Sequence, residues 1–110
     1  MDGQTIATRS IQTRVVGVTY EGRQAVVAQL QEGEQVFLVR DPNNTFDHNA
    51  IKVVRLNGQQ VGFLDRNLAA RVSTRLDDYG QPVQAYVSSI TGGFYPGSCL
   101  GVLIRFELPE

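Results

Sequence analysis

Apolar and polar residues alternate with a period of two in two stretches. From Leu100 to Leu108, Leu100, Val102, Ile104, Phe106 and Leu108 alternate with Gly101, Leu103, Arg105 and Glu107; from Pro82 to Ile90, Val83, Ala85 and Val87 alternate with Gln84, Tyr86 and Ser88. Each pattern predicts a strand with one buried face. The Gly92–Gly97 segment joins them. β-Branched residues crowd Ile11 to Tyr20, which predicts another strand, with Gly17 as a bulge or a point of close backbone approach. Gln35 to Arg40 has the length and composition of a buried strand, stopped by Asp41-Pro42-Asn43-Asn44. Ala50 to Leu56 and Gln60 to Leu64 flank Asn57-Gly58, a pair that favours a type I′ turn, so they predict a β-hairpin.

A period near 3.6 replaces the alternation twice. Val26, Val27 and Leu30 predict a short amphipathic helix over 22–31, ending before Gly33, although adjacent valines also permit a strand. Leu68, Ala69, Val72 and Leu76 predict a second helix from 66 to about 78, capped by Asp65 and stopped by Gly80. Five or six short strands with two helices in 110 residues predict a mainly β fold of α+β type, a small, strongly bent sheet closing into a partly open β-barrel. Residues 1–8 carry little pattern and are expected to be a flexible lead-in; residues 9–110 form the expected single domain.

Composition narrows the chemistry. With 42% hydrophobic residues and no run near the roughly 18 to 20 apolar residues that span a bilayer, no membrane segment is expected. The start Met1-Asp2-Gly3-Gln4-Thr5 has neither the basic residues nor the apolar run of a signal peptide, so a soluble, cytoplasmic chain is expected. A single cysteine, Cys99, excludes an internal disulfide and a multi-cysteine zinc site. Ten basic against eleven acidic residues give a formal charge of -1, which excludes a basic coat, and nine of the ten are Arg, with Lys52 the exception. Any nucleic-acid binding must therefore come from a local patch.

The densest polar cluster runs from Arg40 to Val53. Counted from Asp41, an EF-hand requires Gly at the sixth position and Glu at the twelfth, where the chain has Phe46 and Lys52. Asp47-His48 lacks a second His or Cys for a transition metal. Ser73, Ser88, Ser89, Ser98 and Cys99 have only His48 as an imidazole partner, and no nucleophile elbow or P-loop is present. No enzyme activity, metal or cofactor is expected. Binding remains: Phe46 stands among Asp, Asn, Pro, Thr and His, as an exposed nucleotide would require, since bases stack on aromatic rings while polar side chains fix sugar and phosphate. The alternative is that Phe46 plugs the barrel while Asp41, Asn44 and Asp47 cap turns. Phe94-Tyr95 offers a second aromatic source with the same two readings.

Three motifs resemble the HIRAN domain family over residues 13 to about 107. They are Val15-Val16-Gly17-Val18-Thr19-Tyr20-Glu21-Gly22-Arg23-Gln24; the segment from Arg40 to Val53, similar to Arg-Asp/Glu-Pro-x-Asn-x-Tyr/Phe-Asp-x-Asn-Ala-Ile/Val-x-Val; and Val61-Gly62-Phe63-Leu64-Asp65-Arg66-Asn67-Leu68-Ala69. The resemblance implies a small OB-like, partly open β-barrel and a module that binds single-stranded DNA at a free 3′-hydroxyl end during repair or at stalled forks, with a helicase or nuclease as a partner in trans. It further implies that Phe46 stacks on the terminal base and Asp47 accepts from the 3′-hydroxyl. Asn49 would brace the loop with Asn44, and Lys52 and Arg14 would lie near phosphates, with Phe94 a candidate second platform. Members that bind DNA carry first-strand tyrosines where this chain has Arg14, Val15 and Val16. Two other readings are a protein-interaction adaptor using Phe46, Phe94 and Tyr95, and a metal-dependent nuclease using Asp41 and Asp47.

Overall fold

The computed structural model describes residues 9–108. The lead-in expected over residues 1–8 and the last two residues lie outside them. The elements, in chain order, are β1 (Arg9–Val16), α1 (Arg23–Val27), β2 (Gln35–Arg40), β3 (Ile51–Arg55), β4 (Gln60–Leu64), α2 (Arg66–Tyr79), β5 (Val83–Gly92) and β6 (Leu100–Leu108). All strand pairs are antiparallel, in the order β1-β4-β3-β2-β5-β6, and the sheet closes on itself. The barrel is thus closed rather than partly open.

Closure depends on β1 serving two partners. Arg9 to Arg14 pair with β6, and Val15 and Val16 continue onto Leu64 and Phe63 of β4. Gly62 makes room at that seam: a Cβ there would clash with the Val16 carbonyl oxygen and stand 2.8 Å from Val15 Cγ1. The alternation of β6 is realised, with Val102, Ile104, Phe106 and Leu108 buried and Arg105 and Glu107 exposed. These side chains meet Val36, Leu38, Ile51, Val53 and Val61 inside the barrel, and α2 adds Leu68, Ala69, Val72 and Leu76 to the same core. No helix among the described residues is long and apolar enough to cross a membrane.

Local chemistry accounts for the departures from pattern. β1 stops at Val16, not Tyr20, because Gly17 (φ 71°) turns the chain, and Glu21 (φ 54°) and Gly22 (φ 75°) turn it again. The first helix covers Arg23–Val27 only; no side chain caps its start, and Gln29 and Leu30 close shorter turns onto Val26 and Val27. The β3–β4 connection is not type I′. Asn57 has no positive φ; Gly58 alone does (91°), its N–H donating to the Arg55 carbonyl, while Arg55 N–H donates to Gln59 O. α2 begins as predicted, Asp65 accepting from the N–H groups of Asn67 and Leu68, and ends at Gly80 (φ 80°).

Candidate nucleic-acid interface

Residues 41–50 connect β2 to β3 and are rich in turn formers, whose short side chains accept hydrogen bonds from nearby backbone. Asp41 N–H donates to the Ala50 carbonyl at 2.9 Å and closes the neck of the loop. Inside it, Asn44 Oδ1 accepts from Phe46 N–H (2.9 Å) and Asp47 N–H (3.1 Å), and Asn44 Nδ2 donates to Asp41 Oδ2 (3.0 Å). Asp47 Oδ1 accepts from Asn49 N–H at 2.9 Å. Asn49 Oδ1 accepts from the hydroxyl of Ser73, a buried residue of α2, at 3.4 Å.

Arg40 fixes this unit to the body of the protein. Its Nε donates to Asp77 Oδ1 of α2 at 2.8 Å, Nη1 to the Ala50 carbonyl at 2.9 Å and Nη2 to the His48 carbonyl at 3.1 Å. One planar guanidinium thus holds strand, loop and helix together. The polar residues therefore do cap turns, but Phe46 does not plug the barrel: the residue is 87% exposed. The loop presents an aromatic face to solvent on a backbone held by its own side chains.

Opposite the loop lies the first turn of α2. Arg66 Nη2 donates to the Phe46 carbonyl at 3.4 Å, and Arg66 Nε stands 3.8 Å from Asp47 Oδ2. At that distance, with the Arg66 side chain 76% exposed, the pair is loose and the guanidinium is free to turn toward a ligand. Phe46, Asp47, Asn49, Arg66 and Asn67 line a shallow open depression of about 470 Å³. An exposed ring, a carboxylate and a guanidinium suit a nucleotide, supplying stacking, a hydroxyl acceptor and a phosphate donor.

Four of the seven predicted residues meet in this loop: Asn44, Phe46, Asp47 and Asn49. The other three do not line the depression. Lys52 follows on β3, half-buried between Val39 and Phe63 on neighbouring strands. Arg14 lines a second depression between β1 and α2, and Phe94 stands 85% exposed on the β5–β6 loop beside Tyr95, which is 74% exposed. Sequence reading missed Arg66 and Asn67 as lining and Arg40 as the brace. The Asp65 cap was the available signal, because it places the next two residues on an open first turn. The nuclease reading gains no support: Asp41 is engaged by Asn44, and Asp47 by Asn49 and Arg66.

The HIRAN domain family model matches residues 8–100. The chain is 41% identical over 69 residues to the human helicase-like transcription factor, covering 63% of this chain and 6% of that protein. It is 31% identical over 81 residues to an Arabidopsis thaliana Fanconi-associated nuclease 1 homolog, covering 74% of this chain and 9% of that one. The chain thus spans less than a tenth of the length of these relatives. The crystal structure of the human HLTF HIRAN domain superposes with a TM-score of 0.64 at 32% identity, over 92% of this chain and 77% of that one. The NMR structure of that domain in its DNA-bound conformation gives a TM-score of 0.55 at 31% identity, over 88% and 75%.

Proposed function

This chain belongs to the HIRAN domain family, and on that premise we propose that it is a non-catalytic module whose 41–50 loop receives the 3′ end of single-stranded DNA. The observation that carries the reading is Phe46, a residue 87% exposed on a loop closed by its own hydrogen bonds. A similar domain has a solved DNA-bound conformation, which supports DNA as the ligand class.

The terminal base stacks on Phe46. The 3′-hydroxyl of the terminal sugar donates to Asp47 Oδ2, since Oδ1 is already occupied by Asn49 N–H. Arg66 swings from Asp47 onto the adjoining phosphate, and Lys52 adds charge from β3. A 3′-phosphate would bring a second anion against Asp47 and is rejected. The module acts at repair intermediates or stalled forks, alone or with a helicase or nuclease in trans; similar domains lie within a helicase-like protein and a nuclease homolog.

A second reading, docking of a protein partner, draws on the other exposed aromatics: Phe94 and Tyr95 lie in a stretch with no charged residue between Asp78 and Arg105. Fluorescence anisotropy with 5′-labelled strands ending in a 3′-hydroxyl or a 3′-phosphate, at two salt concentrations, separates the two. DNA-end binding predicts tighter, salt-sensitive binding of the hydroxyl strand. Equal binding of both ends removes the end-recognition role, and no binding at low salt favours the protein partner.

A further inference from the structure

One narrow stripe of α2 faces the 41–50 loop. At about 100° per residue, Arg66, Ala70, Ser73 and Asp77 fall within about 60° of one another around the helix axis. Arg66 Nη2 donates to the Phe46 carbonyl, Ala70 lines the depression beside Phe46, Ser73 Oγ donates to Asn49 Oδ1 at 3.4 Å, and Asp77 accepts from Arg40. The stripe thus follows the loop from its tip to its neck. Ser73 is the odd residue in it. It is 4% exposed, and the other buried residues of α2, Leu68, Ala69, Val72 and Leu76, are apolar. A hydroxyl buried among them costs stability unless it is bonded, so its bond to Asn49 accounts for it better than packing does.

That bond leads to the carboxylate of the site. Asn49 N–H donates to Asp47 Oδ1 at 2.9 Å, and Ala50 N–H donates to the Asp47 carbonyl at 3.0 Å. Residue 49 therefore keeps Oδ1 occupied and leaves Oδ2 toward Arg66 and the depression. Without the Ser73 hydroxyl, the Asn49 side chain loses its hold on α2 and its N–H is released. Asp47 can then turn both oxygens to the Arg66 guanidinium, already 3.8 Å away, and the acceptor for a hydroxyl is lost. The ring stays in place, because Asn44 still holds the N–H groups of Phe46 and Asp47.

We propose that Ser73 is the positioning residue for end selectivity: through Asn49 it holds the Asp47 carboxylate with one oxygen free for a 3′-hydroxyl. Resting on the strand-end reading above, this role divides the site in two. Stacking on Phe46 does not depend on Ser73; discrimination between strand ends does.

The test is anisotropy at low salt with 5′-fluorescein hexathymidylates ending in a 3′-hydroxyl or a 3′-phosphate. Wild type, Ser73→Ala, Asn49→Ala, the double variant and Val72→Ala are compared. Wild type is expected to favour the hydroxyl strand about tenfold, the scale of one hydrogen bond to a charged group. Ser73→Ala should weaken the hydroxyl strand about five- to tenfold and leave the phosphate strand within about twofold of wild type, so that the preference all but disappears. Asn49→Ala removes the other end of the same bond from the loop side and should match it, the double variant losing no more than either single one. Val72→Ala, a change in the buried face of α2 outside the depression, should lower the melting temperature and keep the preference. A preference retained in Ser73→Ala or in Asn49→Ala, equal weakening of both strands, or losses that add in the double variant would overturn the role of Ser73 and leave the strand-end reading standing. A wild type that binds both ends equally, or neither, would overturn the strand-end reading and this role with it.

Discussion

Two loops of this barrel each offer solvent an aromatic ring, and they are built in opposite ways. In 41–50 the side chains of Asn44, Asp47 and Asn49 bind backbone or neighbouring side chains, and Arg40 ties the loop to β2 and α2. In 93–99, between β5 and β6, the side-chain hydrogen bonds all run between Tyr95 and Ser98. Phe46 and Phe94 are almost equally exposed, 87% and 85%. Exposure therefore does not distinguish them; preorganisation does. A ring on a fixed backbone binds without the entropic cost of ordering a loop, whereas a ring on a glycine-rich hairpin tip must be ordered on contact. Charge separates them too, since a carboxylate and a guanidinium flank Phe46 while the sequence around Phe94 is uncharged.

The strongest way to break this contrast is to make the first loop resemble the second. Arg40→Ala removes a side chain that is 17% exposed and leaves the Ala50 and His48 carbonyls and Asp77 without it. It should lower unfolding stability by on the order of 3 kcal/mol in urea titrations and abolish tight DNA binding. Phe46→Ala should weaken single-strand binding by about 1 to 3 kcal/mol, with stability changed by less than about 0.5 kcal/mol; a large drop in melting temperature instead would make the ring structural. Asn44→Ala frees the Phe46 and Asp47 amides and should cost about 1 kcal/mol of stability, with faster amide exchange at those two positions. The smallest effect is expected from Phe94→Ala, under about 0.5 kcal/mol in both stability and DNA affinity. A loss there matching that of Phe46→Ala would mean that both loops clasp the ligand.

What the sequence disclosed followed the range of the interactions. The alternation of β6 and the Asp65-capped α2 depend on neighbouring residues and were legible. Barrel closure was not, because alternation identifies an inward face but not the partner strand, and β1 splits its pairing between β6 and β4. Asn57-Gly58 marked the hairpin correctly, yet Gly58 alone took the positive φ. In the site, the Asn44 and Asp47 caps were readable as local turn chemistry. The approach of Arg66 to Asp47 and the span of Arg40 from loop to α2 arise from tertiary packing and left no periodic trace.

The central claim is that the 41–50 loop, and not the 93–99 loop, is the platform for DNA. Its most direct test is a ¹H–¹⁵N correlation spectrum of the protein titrated with a short oligothymidylate bearing a free 3′-hydroxyl. Concentrated shifts at Phe46, Asp47, Asn49, Arg66 and Asn67, with little change over residues 93–99, are the expected result. Shifts centred on Phe94 and Tyr95, with residues 44–49 unmoved, would contradict it.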